Sequence, residues 1–144
     1  MDAPLQGPSM EPAAPATEPG RRVRVLVADD HADLRRSLAA WIEGHPRLEL
    51  AGLAVDGHEA VAKTAWLRPD LVIMDASMPF LDGFEATRQV KRLPAAPRVV
   101  YVSLLDDATS VAEAEAAGAD AFMCKSELVQ RLDGLLDVYF PPPA

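Results

Sequence analysis

Residues suited to metal and phosphoryl chemistry follow four short apolar runs of the chain. Asp29 and Asp30 follow VRVLVA, Asp75 follows LVIM, Ser103 follows VVYV and Lys125 follows AFMC. Two carboxylates about 5 Å apart, at an effective dielectric constant near 20, repel each other by roughly 3 kcal/mol. One lysine balances only part of the charge of three carboxylates, so a divalent cation would complete such a site.

The types of these side chains indicate which cation and which reaction. An oxygen-rich site suits Mg²⁺ or Mn²⁺ better than Zn²⁺, and the sequence has no cluster of cysteine and histidine at zinc-binding spacing. Such a cation beside a lysine and a hydroxyl group equips a site to handle a phosphoryl group. An aspartate can itself be the nucleophile and form an acyl phosphate.

The segments around these residues predict how they come together. Short β-branched or aliphatic runs predict strands at Val23–Ala28, Leu48–Val55, Leu71–Met74, Val99–Val102 and Ala121–Cys124. Helical periodicity predicts helices within residues 34–42, 60–65, 84–91, 111–117 and 128–139. This alternation predicts an α/β fold whose parallel sheet has helices on both faces. Ligands of open α/β sheets bind at the carboxyl ends of the strands, so we expect the polar residues to meet at that edge.

Composition excludes several classes of function. The net charge of −8 argues against binding of nucleic acid or of an anionic membrane surface. Cys124 is the only cysteine, so the chain cannot form an internal disulfide. No apolar run reaches the ~18–20 residues of a membrane span, and the first residues do not resemble a secretory signal. These features predict a cytoplasmic protein.

The composition of the ends sets the expected domain boundaries. Residues 1–20 contain five prolines and few large apolar side chains, which is typical of a disordered tail. Residues 141–144 read PPPA and are expected to form a proline-rich stub after the last helix. The folded domain is therefore predicted over residues 21–140.

Four segments in this order resemble a known family. VLVADDH, LVIMDASMPFLDGFE, VVYVS and GADAFMCK are similar to the receiver domain of bacterial two-component response regulators, and the resemblance covers residues 21–139. The segments VADDH and GADAF are most similar to receivers that precede LuxR-type helix-turn-helix domains. No such domain follows here, so a stand-alone receiver is expected. The resemblance implies a flavodoxin-like (βα)5 fold with strand order 2-1-3-4-5.

The resemblance also implies roles for the acidic residues. Asp75 would accept a phosphoryl group from a phosphohistidine. Asp30 would bind Mg²⁺ (or Mn²⁺) directly, Asp29 would often do so through water, and Asp75 and the backbone carbonyl of Ser77 would complete the protein ligands.

The remaining implied roles concern phosphoryl contact and switching. The hydroxyl of Ser103 would bind a phosphoryl oxygen, and Lys125 would pair first with Asp75 and then with its phosphoryl group. Phe122 matches an aromatic switch position that turns inward when Ser103 moves. Asp82 resembles the N-cap of the third helix, with Glu85 completing a capping box.

The implied function is signalling rather than enzymatic turnover. The domain would catalyse only its own phosphorylation and dephosphorylation. Its partners would be a sensor histidine kinase or a histidine phosphotransfer protein and an unknown downstream protein, with no direct contact to nucleic acid or membrane. A second copy of itself is a further candidate partner. We expect the downstream contact on the face that runs from the fourth helix to the fifth.

Three residues depart from the family pattern. Ser126 stands where a proline is common, so a cis peptide bond is not expected there and Ser126 could cap the fifth helix. Leu104 stands where a small residue is favoured and could narrow access to Asp75. An apolar residue at Leu105 predicts slow self-dephosphorylation, because it could exclude the attacking water.

Three other interpretations remain open from the sequence. The domain could be a degenerate receiver that acts as an interaction module without phosphorylation. It could be an aspartyl phosphatase, although Ser77 stands where a second acid is usual. It could be a flavin carrier, although Asp29 and Asp30 would repel a phosphate after the first strand.

The histidines and tryptophans have simpler expected roles. His31, His45 and His58 are scattered along the sequence and are predicted to be surface residues. Trp41 and Trp66 are predicted to pack their helices onto the core.

Overall fold

The structure is a computed structural model that describes residues 21–104 and 107–141. The strands are β1 (Val23–Ala28), β2 (Leu48–Ala54), β3 (Leu71–Asp75), β4 (Arg98–Ser103) and β5 (Ala121–Cys124). The helices are α1 (Ala32–Glu43), α2 (Gly57–Leu67), α3 (Gly83–Lys91), α4 (Ala108–Ala117) and α5 (Leu128–Tyr139), with a 3₁₀ turn at Lys125–Glu127.

The strands form one parallel sheet in the order β2-β1-β3-β4-β5. This confirms the predicted doubly wound, flavodoxin-like fold. Among the described helices, none combines the length and the apolar character that a bilayer span requires. The predicted tail at residues 1–20, residues 142–144 of the predicted stub, and Leu105 lie outside the described residues.

The core lies on both faces of the sheet, because successive side chains of a strand point to opposite sides. On one face the strands pack against α1 and α5, for example through Ile42 and Leu132. On the other face they pack against α2 and α3, for example through Ala60 and Val90. Burial on both faces explains why the strands read as continuous apolar runs.

Aspartate side chains set the starts of three helices. Asp56, Asp82 and Asp107 each accept a hydrogen bond from the backbone N–H three residues later, which satisfies one donor of the first helical turn. The predicted N-cap at Asp82 is therefore confirmed. The side chain of Glu85 accepts from Arg88 and Gln89 rather than completing a capping box.

At the amino ends of the strands, a partly buried carboxylate is surrounded by donors. Asp120 accepts hydrogen bonds from Lys91 Nζ at 2.9 Å, Arg98 Nη1 at 3.1 Å and the Val99 N–H at 2.7 Å. Its side chain is 14 % exposed. We call Asp120 and these three donors the amino-end cluster.

Two expectations about single residues were wrong. His45 is not a surface residue: its side chain is 11 % exposed, and Nε2 lies 2.6 Å from Asp133 Oδ1 on α5. Trp66 does not pack onto the core and is 62 % exposed. The buried face of α2 consists of small residues, including Ala60 and Thr64, and this leaves the indole on the outer face. Trp41 does pack against the core, as predicted.

Candidate functional site

Strand β1, which lies between β2 and β3, carries the first two acids to the carboxyl edge of the sheet. Asp29 is buried, at 8 % exposure, whereas Asp30 is exposed. The backbone N–H of Asp29 donates to Ala54 O of β2 at 3.0 Å, which continues the β1–β2 pairing. Asp29 Oδ1 accepts from the His31 N–H at 2.8 Å. The Asp29 carboxylate therefore has a fixed position between the sheet and the start of α1.

The neighbouring strand β3 places Asp75 at the same edge, and its side chain is 4 % exposed. The chain turns sharply after it, so that Gly83 at the start of α3 lies against it. A Cβ atom at position 83 would lie 2.1 Å from Asp75 O, closer than any real contact. Glycine is therefore required there to let α3 begin directly against the end of β3.

Lys125, which directly follows the edge strand β5, pairs with the two buried acids. Its Nζ lies 3.2 Å from Asp29 Oδ2 and 3.3 Å from Asp75 Oδ1. The side chain is 11 % exposed, so water screens these ion pairs only weakly. The Ser77 N–H also approaches Asp75 Oδ1, at 3.4 Å. Both donors contact the same oxygen of Asp75.

The other oxygen of Asp75 is left without a donor. Within residues 21–104 and 107–141, Asp75 Oδ2 is one of two buried side-chain oxygen or nitrogen atoms with no hydrogen-bond partner. An unpaired buried carboxylate oxygen is costly, so it is suited to bind an incoming cation or electrophile.

Four side chains can share one metal ion at this position. Asp29, Asp30, His31 and Asp75 each offer a ligand atom, and these atoms lie within 4.8 Å of one another. Three of the four offer carboxylate oxygen, which fits a hard divalent cation such as Mg²⁺ or Mn²⁺. The residues present therefore fit the metal that the sequence predicts.

The electrostatics of the site oppose ionisation of Asp75. Burial raises its pKa from the usual 3.8 to about 6, and the charge of Asp29 adds to the rise. The charge and hydrogen bond of Lys125 lower the pKa but do not reverse the shift. The site thus holds more negative charge than its own donors neutralise.

The structure brings the predicted residues together to different degrees. Asp29, Asp30, Asp75 and Lys125 form one cluster. Ser103 ends the adjacent strand β4 and is 8 % exposed, one residue beyond Val102, which pairs with Asp75 across the sheet.

The other two predicted residues, Ser77 and Phe122, lie on the loop after β3 and in β5. Ser77 is exposed on the loop after β3. Phe122 is half-buried in β5, opposite Tyr101 of β4.

His31 belongs to this cluster, which the sequence interpretation missed. The ring is exposed as predicted, but Nδ1 lies 3.3 Å from Asp29 Oδ1 and 3.2 Å from Asp30 Oδ1. Its position directly after the acid pair, at the N-cap of α1, is the signal that could have identified it.

The departures from the family pattern also have definite positions. Ser126 does not cap α5: it lies in the 3₁₀ turn, its Oγ is 3.6 Å from Cys124 Sγ, and Glu127 precedes α5 without a side-chain cap. No peptide bond among the described residues is cis. Leu104 is 68 % exposed, on the rim next to Ser103.

An apolar crevice of about 160 Å³ opens beside the cluster, between α1 and α5. Asp75 and Lys125 line the crevice together with apolar side chains that include Leu34 and Val129. Leu34 and Val129 are each nearly half exposed.

Comparison with known proteins supports these observations. The family model described as "Response regulator receiver domain" matches residues 25–137. The transcriptional regulatory protein LiaR of Bacillus subtilis is 38% identical over 104 residues, which are 72% of this chain and 49% of LiaR. A protein-glutamate methylesterase/protein-glutamine glutaminase of Alkalilimnicola ehrlichii is 39% identical over 105 residues, 72% of this chain and 27% of that protein. The chain thus spans half or less of the length of these curated relatives.

Solved structures show the same likeness. The response regulator domain of Thermotoga maritima CheB matches with a TM-score of 0.76 and 31% identity, over 86% of this chain and 100% of that one. The signal receiver domain of the putative response regulator NarL from Mycobacterium tuberculosis matches with a TM-score of 0.74 and 29% identity, over 82% of this chain and 96% of that one.

Proposed function

The chain belongs to the response regulator receiver domain family, and from that premise we propose that Asp75 accepts a phosphoryl group in a reaction that depends on Mg²⁺ or Mn²⁺. The observation that carries the proposal is the buried Asp75 Oδ2, which has no hydrogen-bond partner among the described residues, in a carboxylate that lies among two further acids and a lysine. The domain in question is residues 21–140, with residues 1–20 and 141–144 outside it.

The two oxygens of Asp75 have different parts in the transfer. Lys125 Nζ and the Ser77 N–H hold Oδ1, which leaves Oδ2 open to the cation. The other oxygen, Oδ1, forms a bond to phosphorus as the bond from phosphorus to the donor's histidine nitrogen breaks, and histidine leaves with the electron pair. The pKa near 6 keeps Asp75 mostly ionised at neutral pH, as a nucleophile must be.

The other acids would hold the cation. Asp30 and Asp75 would bind it directly, Asp29 directly or through water, and Ser77 would add its backbone carbonyl. The bound cation supplies positive charge that stabilises the transferring phosphoryl oxygens.

Lys125 and Ser103 would convert the new charge into a signal. A phosphoryl group adds roughly 1.5–2 negative charges, to which Lys125 Nζ and the Ser103 hydroxyl would move. The movement of Ser103 would allow Phe122 to turn inward and would bias the region from α4 to α5 toward a second arrangement.

The partners follow from this chemistry. The donor would be a sensor histidine kinase or a histidine phosphotransfer protein in the cytoplasm, and the crevice between α1 and α5 supports its approach to Asp75. The output would be contact with a downstream protein or a second copy of this domain. The net charge of −8 favours protein over nucleic acid or membrane as the direct contact. The domain would catalyse only its own phosphorylation and dephosphorylation.

Acetyl phosphate with Mg²⁺ tests the proposal without knowledge of the kinase. We expect the intact mass of the wild type to rise by one phosphoryl group, and Asp75→Asn and EDTA each to abolish the rise. Asp33→Asn is the matched control, because Asp33 is an acid with a 95 % exposed side chain on α1 and should leave phosphorylation unchanged. A wild type that stays unmodified, or an Asp75→Asn variant that is still modified, contradicts the proposal and favours the degenerate receiver.

A further inference from the structure

The imidazole of His31 lies beside the acid pair, with Nδ1 within hydrogen-bond distance of Asp29 Oδ1. His31 is the N-cap residue of α1 but makes no side-chain capping hydrogen bond. Its backbone N–H donates to Asp29 Oδ1 at 2.8 Å, which fixes the residue next to the acids. The side chain is 57 % exposed, so the ring is accessible from solvent.

The distances around His31 Nδ1 match the spacing of ligands on one ion. In an octahedral site with ligands about 2.1 Å from the metal, neighbouring ligand atoms are about 3.0 Å apart. Nδ1 lies 3.3 Å from Asp29 Oδ1 and 3.2 Å from Asp30 Oδ1. The ligand atoms of His31 and the three acids all lie within 4.8 Å of one another.

A second observation, the unpaired oxygen of Asp75, also points to a ligand beside His31. Asp75 Oδ2 is buried and has no hydrogen-bond partner in the part of the chain that the structure describes. The ligand group that includes His31 also includes this carboxylate. A cation that satisfies Asp75 therefore also lies within reach of the imidazole.

We propose that His31 Nδ1 is a direct ligand of the divalent cation at this site and makes the site select Co²⁺, Ni²⁺ or Zn²⁺ over Mg²⁺. The inference rests on the proposed function, because it concerns the same cation. Imidazole nitrogen suits these transition metals, whereas Mg²⁺ prefers oxygen. An all-oxygen site would discriminate less, so His31 sets which ion occupies the site when several compete.

Isothermal calorimetry with Mg²⁺ and with Co²⁺ measures this selectivity at one fixed pH. The site-specific heat is the part that Asp75→Asn abolishes. We expect His31→Ala to weaken Co²⁺ binding about tenfold or more and Mg²⁺ binding less than about threefold. His58→Ala is the matched control, since His58 is also exposed near a helix start but lies outside the ligand group, and it should change neither affinity.

Pulsed electron paramagnetic resonance of bound Mn²⁺ shows ligation directly. We expect nitrogen modulation from one imidazole in the wild type and in His58→Ala, and its loss in His31→Ala.

Two failures have different meanings. If Mg²⁺ supports phosphorylation of Asp75 but His31→Ala leaves the Co²⁺/Mg²⁺ ratio and the nitrogen signal unchanged, the inference is wrong and the proposed function stands. His31 then only hydrogen-bonds to the acids. If no ion binds in a manner that depends on Asp75, both are wrong.

Discussion

Asp75 is a buried aspartate and Asp120 a partly buried one at opposite ends of one sheet, and their surroundings differ. Asp120 accepts from Lys91, Arg98 and the Val99 N–H. Burial alone would raise the pKa of Asp120, but these hydrogen bonds outweigh it and lower the pKa below the usual value. Within residues 21–104 and 107–141, Asp75 has donors on one oxygen only, and burial raises its pKa to about 6.

This difference separates a carboxylate that stabilises the fold from one that keeps an oxygen available to a ligand. Every charge of the amino-end cluster has a partner within the chain. At the carboxyl edge the chain supplies fewer donors than the acids can accept, so the folded state without ligand carries an electrostatic cost. Burial favours a raised pKa at both carboxyl groups, and the number of donors decides the direction of the net shift.

The largest expected effect tests the amino-end cluster. Asp120→Asn removes the charge that pairs with Lys91 and Arg98 and turns one acceptor oxygen into a donor. We expect the free energy of unfolding to fall by about 2–4 kcal/mol, measured by urea denaturation. Asp33→Asn, which breaks an exposed ion pair with Arg36, should cost less than about 0.5 kcal/mol. Equal losses in the two variants would contradict the comparison.

At the opposite end, removal of a charge should stabilise the protein. Because the folded state raises the pKa of Asp75 from 3.8 to about 6, it binds the proton more tightly than the unfolded chain does. The wild type should therefore lose stability as pH rises from about 4 to 6 and remain less stable above that window.

Asp75→Asn should abolish this loss. Without divalent ions at pH 7, we expect it to be about 1–3 kcal/mol more stable than the wild type, and the difference should vanish below pH 4. Chemical denaturation at several pH values measures this. A variant that is less stable than the wild type at pH 7 would show that Lys125 already neutralises the site.

A divalent cation should remove part of the cost at the carboxyl edge. At ten times its dissociation constant, Mg²⁺ should stabilise the wild type by about 1.4 kcal/mol, which thermal denaturation detects. Asp120→Asn should gain the same increment, because the amino-end cluster does not contact the ion. Asp75→Asn should gain almost nothing, and an equal gain there would place the ion elsewhere.

The smallest expected effect concerns access to Asp75 at the carboxyl edge. Leu104 is 68 % exposed beside Ser103, and Leu104→Ala should widen access to Asp75. We expect acetyl phosphate to phosphorylate the variant about two- to threefold faster, a change of roughly 0.4–0.7 kcal/mol in the barrier. Val138→Ala, which truncates an exposed aliphatic side chain on α5, should leave the rate unchanged.

The sequence predicted the fold and most of the cluster because both follow from local patterns. Apolar runs predicted the strands within one residue at each end, and strand order placed Asp29, Asp75 and Lys125 at one edge. The pairing of His45 with Asp133 was missed because it joins residues 88 positions apart, which no local periodicity reveals.

Other details depend on distances that a sequence does not contain. Which oxygen of Asp75 lacks a donor is decided by where Lys125 and the Ser77 N–H lie. The membership of His31 in the cluster depends on the direction of one ring. Ser126 was expected to cap α5, but the 3₁₀ turn at Lys125–Glu127 places it one residue too early to do so.

The tight contact between Gly83 and the peptide of Asp75 limits which genes can encode this domain. In a saturation library at codon 83, a display selection for folded protein should recover glycine almost alone. The Cβ atom of any other residue would lie 2.1 Å from Asp75 O. Codon 134, where an added Cβ meets nothing within 4 Å, should accept many amino acids. Strand β3 thus imposes its geometry on a codon eight positions downstream of Asp75.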